Sequence, residues 1–287
     1  MKLIAIDLDG TLLSDNGSIS KENIKAIHEV QRQGHVVAIS SGRSFQDTAN
    51  ILMQAGIDCP IMTGNGAKSY HNGEHLQTLT LSTFVISELI AMLEKDGLYF
   101  EVYTKDGIFI EEGKKEILDN EIQQLKQHHT VSLQWAADIV DIQFNQHGLS
   151  FIPNFKAIDF NDLEVYKLFV LSFDIKKLHK LRALLEGRND ISLTSSGDQK
   201  LEIGHVDASK GIALKLMAAH FGIPVQHTIA IGDNLNDLSM FQIAGKSIAM
   251  GNAEAEVKKQ STYTTKAYHE DGVAFALKKY ILEEGAD

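Results

Sequence analysis

The chain has 287 residues, 44% hydrophobic and 23% charged, with a formal charge of −11 at pH 7. That length favours one large α/β domain with a smaller inserted or appended unit, and the composition excludes disorder, collagen-like repeats and coiled coils. The acidic surface repels a nucleic-acid backbone, Cys59 alone can build neither a disulfide nor a thiol-rich metal site, and no apolar run reaches membrane-spanning or signal-peptide length, so a cytoplasmic protein is expected.

Residues 2–8, 36–40 and 60–63 are short apolar runs that read as buried parallel strands. Between the first two, Ser20 caps a segment in which Ile24, Ile27 and Val30 recur at helical spacing until Gly34 ends it. Residues 68–80 read as a hairpin around Asn72-Gly73. From about 83 to 190 the pattern changes to helices alternating with antiparallel pairs. It holds a helix with Val85, Ile86, Leu89 and Leu93, a hairpin at Asp106-Gly107, a polar helix, a strand over 167–173 and a helix near 178–185. Trp135, Phe144, Phe151 and Phe155 read as core of this unit or as its contacts with the other, rather than as a platform on which a substrate stacks. The α/β rhythm returns from Ile191, with a helix over 208–221, a strand over 228–231, a helix near Asn236 and a strand over 247–250. The expected architecture is a Rossmann-like, doubly wound parallel sheet formed by 1–82 and 191–287, interrupted by an α+β unit over 83–190.

Asp7-Leu8-Asp9-Gly10-Thr11 stands at the carboxyl end of the first strand, where open α/β sheets bind ligands. Both carboxylates can turn into one pocket, one to attack and one to move protons; an Asp-rich turn that merely ends a strand is the competing reading. Gly232-Asp233-Asn234-Leu235-Asn236-Asp237 follows another strand, so Asp7, Asp9 and Asp233 can surround one hard cation. Few carboxylates completed by water and phosphate is the pattern of Mg²⁺ rather than Ca²⁺. Ser40-Ser41-Gly42-Arg43 precedes a helix and offers either an anion seat or an ordinary cap. Lys210 stands at a helix start, where the dipole does not favour a cation, so it is either paired with an anion or solvated. His71/His75 and His128-His129 read as surface residues rather than metal pairs.

These four pieces, in order, resemble the motifs of the haloacid-dehalogenase superfamily, most closely its Cof-type phosphatases, and Thr63-Gly64-Asn65-Gly66-Ala67 matches that subgroup too. The resemblance covers both ends of the chain. Ser41 departs from the usual Thr, and either hydroxyl can donate to phosphate. The resemblance implies that 83–190 is a cap that sets specificity, and that Asp7 is nucleophile and Mg²⁺ ligand. It makes Asp9 the acid and base, with its backbone carbonyl on the metal. Asp233 completes the protein ligands, with Asn234 near the metal shell and Asp237 in support. Leu8 (backbone), Ser41, Gly42 and Asn236 hold phosphoryl oxygens, Lys210 offsets charge, and Arg43 faces either substrate or cap. The implied partner is a small phosphorylated metabolite, a sugar phosphate first among them, for a monomer or homodimer. A sugar phosphomutase and a non-catalytic phosphometabolite sensor are the competing functions; Asp9 argues against a mere binder and against dehalogenation.

Overall fold

The computed structural model describes residues 1–128 and 132–283, except the side chain of His128; the His128-His129 pair lies outside that description. The chain divides into two compact units, Met1–Thr78 with Ala208–Asp287, and Leu79–Asp207.

The first unit opens with β1 (Leu3–Ile6), α1 (Lys21–Arg32), β2 (Val36–Ser40), α2 (Phe45–Ala55), β3 (Ile61–Thr63), β4 (Lys68–His71) and β5 (Glu74–Thr78). The second contains α3 (Thr83–Lys95), β6 (Tyr99–Thr104), β7 (Gly107–Glu111), α4 (Lys115–His128), α5 (Gln134–Phe144), β8 (Leu149–Ile152), β9 (Lys167–Leu171), α6 (Ile175–Leu185), β10 (Ile191–Thr194) and β11 (Lys200–His205). The first unit resumes with α7 (Lys210–His220), β12 (Thr228–Gly232), α8 (Leu238–Phe241), β13 (Lys246–Ala249), α9 (Ala255–Lys259), β14 (Tyr263–Thr264) and α10 (Gly272–Leu277).

In the first unit an eight-stranded sheet runs β14-β13-β12-β1-β2-β3-β4-β5. Pairing is parallel from β14 to β3 and antiparallel through the β4–β5 hairpin, whose Asn72 and Gly73 take the positive φ angles their turn requires. Both faces of β1 are buried, which explains its unbroken apolar run. Ile4 and Ile6 join Ile27, Val30, Val273 and Leu277 on one side. Leu3 and Ala5 join Ala38, Ala230, Leu214 and Met217 on the other. Ile6 stands opposite both Ile39 and Ile231, so β1, β2 and β12 end level with one another. The chain therefore delivers Asp7, Ser41 and Asp233 to the same edge of the sheet.

The second unit holds a six-stranded sheet, β10-β11-β9-β6-β7-β8, antiparallel except between β7 and β8. Residues 191–205 belong here rather than to the resumed core, because β11 pairs with β9 along its length and β10 with β11. The return to the first unit comes at Ala208 instead of Ile191, and the departure after Thr78 rather than after 82. An alternating strand such as Leu201, Ile203 does not announce which sheet it will join. Among the aromatic residues, Phe155 is core, whereas Trp135 and Phe151 are 41% and 54% exposed.

Leu168, Val170, Phe100 and Val102 pack against Leu89, Leu93, Leu178 and Leu181 on one face of this sheet. Register places Tyr99, Glu101 and Tyr103 on the other, with Lys167 opposite Tyr103. Glu101 is fully buried and accepts hydrogen bonds from Tyr99 Oη at 2.8 Å, Tyr103 Oη at 3.0 Å and Gln146 Nε2 at 3.1 Å. Burial pushes its carboxyl up to about 7, against the lowering effect of those donors and of Lys167. The unfolded carboxyl titrates near ~4.3, so the unfolded state sheds its proton first and folding stability falls as pH rises from about there toward about 7. Glu101→Gln keeps the shape without the charge. Its melting temperature relative to wild type should therefore rise by roughly 5 °C between pH 5 and pH 8; a pH-independent difference in thermal unfolding would contradict this.

Candidate active site

Asp7 follows β1 directly, and its backbone N–H donates to Ile231 O at 3.0 Å, tying the first acidic loop to β12. Its carboxylate Oδ1 accepts from Lys210 Nζ at 2.7 Å, and the same ammonium reaches Asp237 Oδ1 at 2.5 Å. Lys210 opens α7 and is 1% exposed, so the sequence alternative of a solvated lysine is excluded. Close packing holds α7 there. A Cβ on Gly211 would lie 2.2 Å from Ser239 O, and one on Gly66 the same distance from Ser209 O. Burial works against the Lys210 charge, but Asp237 and Asp7 more than offset it and move its pKa upward.

Asp7, Asp233 and Asp237 each bring a carboxylate oxygen within 4.8 Å of the others. Asp237 has spent its oxygens. Besides Lys210, it accepts from Asp233 N at 2.9 Å and Asn234 N at 3.0 Å through Oδ2. Asp233 Oδ1 accepts from Thr11 Oγ1 at 3.0 Å, while Asn252 Nδ2 lies 2.8 Å from Gly10 O and 3.4 Å from Asp233 Oδ2. One ammonium facing three carboxylates leaves an excess of negative charge. Burial, with repulsion from Asp237, pushes Asp233 up to about 7; burial also raises Asp7 well above the usual carboxylate range, despite Lys210. An all-oxygen set with surplus negative charge suits a hard divalent cation.

Not every expected residue joins this group. The Asp9 carboxylate is outside it and is paired with Arg43, which donates from Nε to Oδ2 at 2.8 Å and from Nη2 to Oδ1 at 2.6 Å. Arg43 is held in turn by Asp47 Oδ2, 2.6 Å from Nη1. Asn234 uses Oδ1 to accept from Leu235 N at 2.7 Å, capping its own turn. Ser41 is buried, and its Oγ accepts from Arg43 N at 3.1 Å, leaving its O–H able to donate. Asn236 Nδ2 donates to Asn65 Oδ1 at 3.2 Å. Asn65 sits at φ 55° in the tight turn after β3, between two glycines. The sequence reading gave no role to Asp47, Asn65 or Asn252. Asp47 lies one helical turn beyond Arg43, and Asn252 lies just past the carboxyl end of β13, the same signal that marked Asp7 and Asp233. Away from the site, His71 pairs with His220, Nδ1 to Nε2 at 2.9 Å, rather than with His75.

A family model described as haloacid dehalogenase-like hydrolase matches residues 4–277. The phosphatase YwpJ of Bacillus subtilis (strain 168) is 34% identical over 98% of this chain and 100% of its own length. From the same organism, the 5-amino-6-(5-phospho-D-ribitylamino)uracil phosphatase YwtE is 37% identical over 98% of each chain. Among solved structures, a haloacid dehalogenase-like hydrolase from B. subtilis superposes with a TM-score of 0.87 at 33% identity, covering 98% of this chain and 100% of that one. A sugar phosphatase of subclass IIB shares the fold at 20% identity, with a TM-score of 0.77 over 98% and 99% of the two chains.

The acidic group makes metal binding and pH measurable together. Folded Asp7 and Asp233 titrate above the ~3.9 of an unfolded Asp, so the metal-free protein should lose stability as pH rises from there through about 7. A divalent cation binds the deprotonated carboxylates, so Mg²⁺ should raise the melting temperature more at pH 8 than at pH 5. Gly10 has φ 75°, and a Cβ there would stand 2.3 Å from Asp233 Oδ2. Gly10→Ala should shrink the Mg²⁺-dependent rise; an equal rise at both pH values and in both proteins would count against the acidic group as the cation site.

Proposed function

The chain belongs to the haloacid dehalogenase-like hydrolases and is a phosphatase of that family, and on that premise we propose a Mg²⁺-dependent hydrolase of small-metabolite phosphate monoesters that works through an aspartyl phosphate on Asp7. The observation that carries the reading is the Asp7 carboxylate at a strand end, 2.7 Å from a buried ammonium and beside Asp233. One oxygen of Asp7 is held by Lys210, and the other is the proposed nucleophile.

The oxygens of Asp7 and Asp233 and the backbone carbonyl of Asp9 would hold Mg²⁺, with Asn234 and Asp237 supporting the loop behind them. Bound there, the cation neutralises phosphoryl charge and orients the ester. Ser41 Oγ, the backbone of Leu8 and Gly42, and the Asn236 amide take the phosphoryl oxygens, while Lys210 balances charge on Asp7 and phosphate. Asp7 attacks phosphorus, forming the Asp7 O–P bond as the ester P–O bond breaks. Asp9 gives its proton to the departing alkoxide, so the alcohol leaves neutral. Water then attacks the aspartyl phosphate and gives its proton to Asp9, and breakage of the Asp7 O–P bond returns the carboxylate and releases inorganic phosphate.

The substrate class we favour is sugar and polyol phosphates, in keeping with the ribityl phosphate in the name of YwtE, at 37% identity. Among the described residues no helix is long and apolar enough to cross a membrane, and with a single cysteine the cytoplasm is the compartment we favour. A panel of sugar phosphates, with 5-amino-6-(5-phospho-D-ribitylamino)uracil among them, should release inorganic phosphate in the presence of Mg²⁺ and none after chelation. Asp7→Asn should abolish turnover, and Asp9→Asn should lower it by roughly 10²–10⁴-fold. Acid-quenched wild-type protein should carry a phosphoryl group on Asp7 by mass spectrometry. Phosphate release that survives Asp7→Asn would remove the aspartyl-phosphate mechanism.

A further inference from the structure

Arg43 grips both oxygens of Asp9 through Nε and Nη2, and presents Nη1 to Asp47 on its other side. A guanidinium is planar and rigid, so fixing one nitrogen fixes the plane in which the other two lie. Asp47 is the buried member of the chain: its side chain is 6% exposed, against 57% for Asp9. It sits in the first turn of α2, whose start is capped independently by Ser44, which accepts from Asp47 N at 3.2 Å. An acid in the first turn of a helix interacts favourably with the helix dipole wherever its side chain points. That role requires neither burial nor an ion pair with the residue that clamps Asp9.

We infer that Asp47 is a positioning residue: by anchoring Arg43 it sets the orientation of the Asp9 carboxylate, and through it the group that exchanges protons with the leaving oxygen. The inference rests on the role proposed for Asp9. Loss of Asp47 leaves the guanidinium held by Asp9 alone, so the pair can swing together, and the Asp9 oxygen that must leave Arg43 to carry a proton is no longer aimed at the leaving oxygen. Misplacement of a reacting group by about 1 Å can cost on the order of 10²-fold, and a loosened rather than deleted group should cost less.

The test compares wild type, Asp47→Asn, Arg43→Gln and the double variant in the single-turnover phosphorylation step. One substrate is an alkyl phosphate, whose leaving group needs a proton, and the other is p-nitrophenyl phosphate, whose leaving group does not. Asp47→Asn should slow the alkyl ester by roughly 10-fold and the aryl ester by less than about 2-fold, with little change in KM. The double variant should fall no further than Arg43→Gln alone, because one residue acts through the other. Crystal structures of wild type and Asp47→Asn supply a readout independent of turnover: the Arg43 to Asp9 pair should be present in the first and displaced in the second. Equal slowing of both esters, additive losses in the double variant, or an Asp9 side chain unmoved in Asp47→Asn each overturns the inference and leaves Asp47 a residue of helix stability alone. Should wild type release no more phosphate than Asp7→Asn, the phosphatase mechanism itself has failed, and the pair of crystal structures still decides the role of Asp47.

Discussion

Three carboxylates in one buried span repel one another, and the sheet edge tolerates them because Lys210 is packed between two of them. Taking away one partner of such a buried pair leaves an uncompensated charge and typically costs about 3–5 kcal/mol. The surrounding backbone reflects that demand. Helix α7 approaches its neighbours at glycines because a longer approach would leave the ammonium short of its acids. Gly232 plays a related part: a Cβ there would lie 2.4 Å from the Asp237 carboxyl carbon. Asp237 could then not turn back to receive the amides of Asp233 and Asn234.

The acids are sorted by their partners. Asp237 is saturated and belongs to the scaffold. Asp7 and Asp233 retain oxygens without strong donors and carry the raised affinity for protons that marks a site short of positive charge. Asp9, two residues from Asp7, sits in a different electrostatic setting, facing a guanidinium rather than other carboxylates. Two acids so close in sequence are thus given different partners.

Much of the first unit was legible because parallel strands buried on both faces are written as plain apolar runs, and because ligand groups gather at their carboxyl ends. Asp7, Ser41 and Asp233 could be placed on one edge from that rule alone, and the level ends of β1, β2 and β12 agree with it. Lys210 was legible as an anomaly, a cation where a helix start favours anions. What the sequence did not disclose depends on side-chain direction. The rotation of Asp9 toward Arg43, the burial of Asp47 and the capping use of the Asn234 oxygen have no periodic signature. The extent of the second unit was hidden for a similar reason: β10 and β11 alternate as any half-buried strand does, and only pairing reveals their sheet.

The first unit is built from two stretches of chain that lie before and after the second in sequence. Its central pairing, β1 with β12, and the contact of Lys210 with Asp7 across 203 residues of sequence cannot form during synthesis until nearly all of the intervening polypeptide has emerged. The second unit is continuous and has its own apolar core, so it can condense earlier and draw the ends of the interrupted sheet together, shortening the loop that β1 must close. Until then β1 and β2 wait as apolar strands without their neighbour, and the nascent protein is most exposed to misassociation in that interval.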